Sequence, residues 1–483
     1  MKQLTSTALL SKLLPAMLAL SLGACSTVGP EFAGTPELPI KEDQPFPHAL
    51  HKNAGQESIY QQQEPANAWW RQLNDETLNT LITIAIEKNT DLRVALANMT
   101  AARALLTESQ TGLQPSINAT GSVEASRNSY VQGGTADQAL DDNIVTSAGL
   151  GLNWELDVFG RIKRAIEAAE ANIAYSEALH DDVKRIVIAD IAQAYVDLRG
   201  AQVRQQVIER NINNQKSTLE LTMTLLEEGL VSELDTVRAR AQLRATESLL
   251  PTQISNEVVA ENILALLCGA APGQLGVDLD QSSALPVLPE FLPVGDASEL
   301  IRRRPDIRQA EHMLAGLTAK VGVVTADLFP TISFGAGLGL SAENPGDLGK
   351  TGAFNYSIGP GITWNLFNRE ATRARIRQAE ANVDAQLARY DGVVLKALTE
   401  VDSALINHIE EHNKNIALQE TTIASREAVE LVRIRYNAGA ESFLGVLDAE
   451  RTLLGAEQQL TSSDIELAQG LVRVYRALGG GWD

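Results

Sequence analysis

The sequence predicts an α+β membrane protein in which a few lipid-facing strands accompany very long helices, and three observations carry that prediction. Four segments of about ten residues alternate apolar side chains with small or polar ones. Two stretches, 161–226 and 371–436, contain no proline and one glycine each, Gly200 and Gly392. The whole plan occurs twice along the chain.

Taken from the amino terminus, Lys2 and Lys12 accompany an apolar run, Leu13 to Leu22, too short to span a bilayer. The run ends Leu22-Gly23-Ala24-Cys25, which resembles a bacterial lipobox. Residues 1–24 then read as a lipoprotein signal peptide, with Cys25 as the lipid attachment site and 25–70 as an acylated extension. By the same resemblance, Ser26 in place of Asp permits passage to the outer membrane. The alternative is an ordinary signal peptide followed by an incidental cysteine.

Beyond this segment no stretch of 18 apolar residues occurs among the 483, so any membrane passage must use strands. Forty Lys and Arg against 61 Asp and Glu, a formal charge of −21, argue against a nucleic-acid partner. Cys25 and Cys268 cannot form a disulfide framework or a Cys-based zinc site. Cys268 follows an apolar run and reads as an inert core thiol.

The duplication is direct. Asp91-Leu92-Arg93 and Pro115-Ser116-Ile117 match Asp306-Ile307-Arg308 and Pro330-Thr331-Ile332 at a spacing of 215. Trp154-Glu155-Leu156 and Glu170-Ala171-Asn172 match Trp364-Asn365-Leu366 and Glu380-Ala381-Asn382 at 210. We place the first repeat at 71–290, with strands about 115–127 and 145–157, and the second at 291–483, with strands about 331–342 and 355–366. In the second copy Ile332, Phe334, Ala336, Leu338 and Leu340 alternate with Ser333, Gly335, Gly337 and Gly339. That is the length and pattern of a membrane barrel strand, although the alternation alone fits a half-buried sandwich sheet equally well. Four strands cannot close a barrel, and open edges are not tolerated in lipid. Further strands must come from other copies: three chains supply twelve, whereas two supply eight and barely leave a lumen.

Each proline-free run would extend roughly 100 Å as a helix. In the second, Val383, Leu387, Tyr390, Val394, Leu398, Val401, Leu405, Ile409, His412 and Ile416 repeat every eleven residues. That period keeps an apolar stripe nearly parallel to a straight helix, which suits a wide helical barrel better than a tight coiled coil. A long soluble coiled-coil rod would leave the strands unexplained.

Several ordered segments resemble the TolC-type outer-membrane efflux proteins, in particular the lipid-anchored branch serving tripartite pumps of the RND type. They are Cys25 to Pro30, Trp69-Trp70 through Asp75, Asn89 to Arg93, Trp154 to Arg161, Arg304 to Glu311 and Ala326 to Pro330. The resemblance implies a homotrimer with a twelve-stranded outer-membrane β-barrel, four strands per chain, continuing into a long periplasmic α-helical barrel. It also implies outer-membrane lipid, a periplasmic adaptor (membrane fusion) protein and an inner-membrane transporter as partners.

Two turns between helices share Gly-x-x-Ser-x-Leu: Gly229, Ser232 and Leu234 in the first copy, Gly439, Ser442 and Leu444 in the second. Glycine can take the left-handed conformation that ends a helix, and serine can cap the next. The resemblance makes these tips the adaptor contacts and places a periplasmic gate at Asp235, Tyr436 and Asp448. In a trimer each aspartate would form a ring, which hydrates a constriction and attracts cations. Asp235 equally suits a helix N-terminus as a simple cap. Gly445 stands where Asp235 has its counterpart, and Glu441 where some relatives carry an arginine, so locking contacts do not transfer.

His408-Ile409-Glu410-Glu411-His412 matches the H-x-x-E-H pattern of zinc peptidases, but on a straight helix with no cleft nearby. No phosphate-binding loop or catalytic triad order appears. The chain therefore reads as a cofactor-free, non-enzymatic duct. A non-gated porin, or a periplasmic coiled-coil adaptor lipoprotein, is the competing reading.

Overall fold

The computed structural model describes residues 27–34, 46, 60–61, 63, 67–127, 143–279, 284–289, 291–295 and 297–481. The signal segment and Cys25 lie outside the described residues. The chain divides into two compact units that cut across the sequence repeat. One gathers Met1–Pro36, Met99–Ser176 and Ala310–Tyr390, the other Glu37–Asn98, Glu177–Gln309 and Asp391–Asp483.

In order along the chain come β1 (Tyr60–Gln61), α1 (Glu76–Lys88), α2 (Thr90–Thr111), β2 (Ser116–Ser126), β3 (Asn143–Leu156) and α3 (Arg161–Glu227). Then follow α4 (Glu233–Glu247), α5 (Leu250–Leu267), β4 (Leu292–Pro293), α6 (Ala297–Arg303) and α7 (Pro305–Ala326). The last elements are β5 (Thr331–Ala342), β6 (Phe354–Thr363), α8 (Arg369–Asn437) and α9 (Phe443–Ala477). The two helices expected to be longest, α3 and α8, run for 67 and 69 residues.

The first unit contains a four-stranded antiparallel sheet in the order β2-β3-β5-β6. Each repeat supplies one hairpin, and β3 joins β5 across the repeats. Glycine faces glycine at Gly149–Gly339 and Gly151–Gly337, which strips side chains from one face. The opposite face carries Ile117, Leu150, Leu338, Tyr356, Ile358 and Ile362, and these are exposed, Ile358 at 67% and Ile362 at 71%. A sandwich sheet would bury that face against a second sheet; among the described residues of this chain none covers it, as a lipid-facing strand requires. β6 stops at Thr363, short of the expected 366, because its partner begins at Thr331 and the last pair is Thr331–Thr363. Beyond it Trp364 turns its indole Nε1 to the Leu328 carbonyl at 3.1 Å. Trp154, its repeat counterpart, donates likewise to Leu113 at 2.9 Å.

The core of the second unit assembles around α1, α3, α8 and α9. Leu78, Leu81, Ile82, Ile188, Ile191, Leu198, Val401, Leu405 and Leu471 are buried in it, and Trp69 stacks on Tyr475 at 4.9 Å. Cys268 is fully buried there, and burial pushes its thiol up to about 11, which keeps it protonated and inert. The short strands β1 and β4 pair in parallel beside this core. Arg199, also fully buried, bonds Gln202 and the Leu279 carbonyl, while its Nε reaches Tyr195, whose hydroxyl donates to Asp75.

The eleven-residue stripe of α8 is buried at Tyr390, Val394, Val401, Leu405 and Ile409. It fades toward its start, where Leu387 is exposed and Gln386 takes the buried place, donating to the Ala310 carbonyl. At its far end His412 is only half-buried, and His408 is the buried histidine. Among the described residues no helix is long and apolar enough to cross a membrane.

Candidate functional site: the two interhelical turns

Both glycine turns lie in the second unit and are built alike. After α3, Gly229 takes φ +75°, and Leu230 N–H returns to the Leu225 carbonyl at 2.8 Å. After α8, Gly439 takes φ +71°, and Ala440 N–H returns to Arg435 at 2.8 Å. Both are left-handed helix ends that satisfy otherwise orphaned carbonyls. A side chain would meet no neighbour at either glycine, so backbone conformation alone demands it.

The caps that follow differ. Ser442 begins α9 in the expected manner, its Oγ accepting from Gly445 N–H at 3.3 Å. At α4 Ser232 and Asp235 form a capping box, in which Ser232 N–H and Oγ both reach the Asp235 carboxylate, at 3.3 and 3.0 Å. Asp235 also stands 3.9 Å from Arg238. Asp235 is thus engaged within its own turn. The missing acid of the second copy is supplied from the other side, because Glu441 accepts from Ser442 N–H at 3.1 Å. Its carboxylate occupies the space beside Gly445, where a Cβ would come within 2.9 Å of Glu441 Oε1. The departure seen in the sequence is an exchange: a carboxylate moves from three residues after the serine to one before it.

Four helices meet just behind the turns. Ala239 of α4 and Phe443 and Leu447 of α9 form a small apolar cluster against Leu219 of α3 and Tyr436 of α8. The Tyr436 ring lies 5.8 Å from that of Phe443. Its hydroxyl is buried without a hydrogen-bond partner, and burial together with the Asp235 charge raises its pKa. The structure therefore brings Tyr436 and Asp235 into one electrostatic neighbourhood. Asp448 stands apart from them, exposed on the face of α9 that also exposes Leu444.

Polar ties not foreseen in the sequence brace this end. Buried Glu450 accepts from Thr218 at 2.9 Å and Arg433 at 2.8 Å, linking α9 to α3 and α8. Arg451 reaches Gln242 of α4 at 2.7 Å. Glu450 falls three residues after Leu447, on the helical face that packs inward, and that spacing was the available signal. The turns also expose Leu230, Leu234 and Leu444.

The two histidines of the H-x-x-E-H pattern are placed differently. His408 Nδ1 sits 3.1 Å from the Tyr60 hydroxyl, and burial with the nearby His412 and Arg473 charges pushes its pKa down to about 4. Glu411 is occupied by Lys414 and Ser463. Among the described residues no cluster of three metal-ligating side chains occurs.

Comparison with known proteins places this architecture. The family model described as outer membrane efflux protein matches residues 81–270 and 297–480. Nodulation protein T of Rhizobium leguminosarum bv. viciae is 31% identical over 474 residues, 98% of this chain and 94% of its own. The solvent efflux pump outer membrane protein SrpC of Pseudomonas putida is 30% identical over 476 residues, 98% of both chains. Among solved structures, the outer-membrane channel OprN superposes with a TM-score of 0.86 at 38% identity, covering 95% of this chain and all of that one.

Proposed function

Because the chain belongs to the outer membrane efflux protein family, we propose that three copies build one passive exit duct whose gate lies at the two interhelical turns. The chain is an outer-membrane efflux component, and its periplasmic part meets the partners that supply energy. The observation that carries the assembly is the sheet itself: four strands with lipid-facing side chains and, among the described residues, two unpaired edges, β2 and β6. Open edges in hydrocarbon leave every unpaired backbone group unsatisfied, so β2 of one copy pairs with β6 of the next until the ring closes. Three copies give twelve strands and an aqueous lumen.

At the turns, Asp448 of each copy forms an acidic ring, and the Tyr436 hydroxyl, unpartnered within one chain, finds its acceptor on a neighbouring copy. Asp235 holds its own turn and adds a second layer of charge. Gly229, Ser232, Gly439 and Ser442, with the exposed Leu230, Leu234 and Leu444 beside them, form the surface on which a periplasmic adaptor docks. An inner-membrane transporter drives the assembly through that adaptor. Cys25 carries the acyl anchor, and the two repeats, 71–290 and 291–483, form the duct wall. The duct performs no reaction. Since SrpC is by name a solvent efflux component, organic solvents are the first substrates to test in a deletion strain.

Single cysteines stepped along β2 and β6 test the closure. Oxidation is expected to link chains into dimers and trimers and nothing larger. Crosslinks confined to one chain would contradict it.

A further inference from the structure

Thr27, Val28 and Gly29 are seated in a cradle at the junction where β3 turns into α3. Val28 N–H donates to the Phe159 carbonyl at 3.2 Å. Arg164, 3% exposed, gives its Nε to the Val28 carbonyl at 3.2 Å and Nη2 to that of Gly29 at 3.3 Å, with Nη1 on Glu167 at 2.7 Å. Three glycines make the room. Gly29, at φ +89°, lies against the backbone of Gly322 in α7, where a Cβ would collide. A Cβ on Gly322 would come within 2.8 Å of the Arg164 side chain, and one on Gly160 within 2.6 Å of Thr27. A buried guanidinium that spends two donors on the main-chain carbonyls of one short segment is a built recognition site, since removing that segment would leave those two donors unsatisfied.

This junction also carries aromatic side chains. Phe159 stacks on Phe329 at 4.8 Å, the two repeat-related tryptophans are pinned by their Nε1 groups, and Phe367 is fully exposed. At the other end of β6 stand the exposed Phe354 and Tyr356. From Phe354 to Trp364 is ten residues, about 33 Å along a strand, which a tilt of about 40° reduces to about 25 Å, the height of an apolar barrel band between its aromatic girdles.

We propose that the cradle of Gly29, Gly160, Arg164 and Gly322 seats the lipidated amino terminus and fixes the acyl chains of Cys25 in the periplasmic leaflet beside the lower aromatic girdle. The proposal rests on the reading of Cys25 as acylated. One residue, Ser26, separates Cys25 from Thr27, so chain length alone limits Cys25 to about 7 Å from the seated segment. Anchor and sheet thereby share one membrane depth, and Arg164 is a positioning residue for the anchor.

The test uses the full acylated protein in phosphatidylethanolamine–phosphatidylglycerol vesicles, with a nitroxide on Glu31→Cys; Cys268 is buried and does not compete for label. The expected spectrum is immobile, with the label at the lipid–water boundary by its relative collision with oxygen and a nickel chelate. Gly322→Val should convert most of the signal to a mobile component. Arg164→Gln, which leaves the helix backbone intact, should do so in part while heat-resistant assembly is retained. The mass of the amino-terminal peptide reports the acyl group separately. An acylated chain with a mobile label, or with a spectrum that Gly322→Val leaves unchanged, overturns the proposal alone. An immobile label on a chain without the acyl group overturns the anchor reading and the proposal with it.

Discussion

Burial against Tyr60 and beside Gly470 keeps the His408 ring neutral in the folded chain. Its folded pKa of about 4 lies below the ordinary histidine value, so the unfolded chain binds an extra proton between about pH 6.5 and 4. The stabilisation is complete above pH 6.5 and is lost as pH falls toward 4, by up to about 3 kcal/mol per chain. His408→Gln should flatten the fall in denaturation midpoint between pH 7.5 and 5 relative to the parent; the carboxylates Asp190, Asp197 and Asp464 titrate in both proteins and cancel in the difference. The Tyr436 hydroxyl is unpartnered within one chain, so Tyr436→Phe should leave or slightly raise the stability of an isolated chain; if Tyr436 belongs to the proposed gate, the same change should increase single-channel conductance. Single residues were unevenly legible in the sequence. Gly229 and Gly439 were readable because only a left-handed turn asks for glycine between two helices. The exchange of Asp235 for Glu441 was visible as a mismatch but not as a compensation, since only the folded turns show each carboxylate on the N–H of its own turn's serine, Ser232 or Ser442.

The element scale is where periodicity speaks. The four strands followed from alternation because each has one small or polar face and one apolar face, and the helices α3 and α8 followed from the absence of proline over some 66 residues. What periodicity could not supply was the bracing between helices: Glu450 with Thr218 and Arg433, or Arg451 with Gln242, depends on partners far apart in the chain. Gly229→Ala and Gly439→Ala should each destabilise their turn by about 1–2 kcal/mol, the penalty of a left-handed non-glycine residue, read as faster amide exchange over 224–236 or 434–446. On β6, Ile358→Arg places a charge on the lipid face and should lower assembly stability by about 2–4 kcal/mol. Ser357→Arg, one residue away on the other face, should leave assembly intact and alter ion selectivity.

At the scale of the whole molecule, the repeat seen in the sequence does not fold as two bodies. Each compact unit takes segments from both copies, because β3 pairs with β5 and so joins the hairpin of one repeat to that of the other. Duplication doubles the strands from two to four, and four still fall short of a closed barrel. The deficit follows from strand count alone. The proposed partners at the turns and the cargo leave no comparable mark, because neither strand count nor helical period registers them. The number of copies in the conducting complex tests the account most directly. Native mass spectrometry of the detergent-extracted complex, on the same preparation that conducts in a planar bilayer, should find three chains and no conducting species below that number; a conducting monomer would contradict the account at its root.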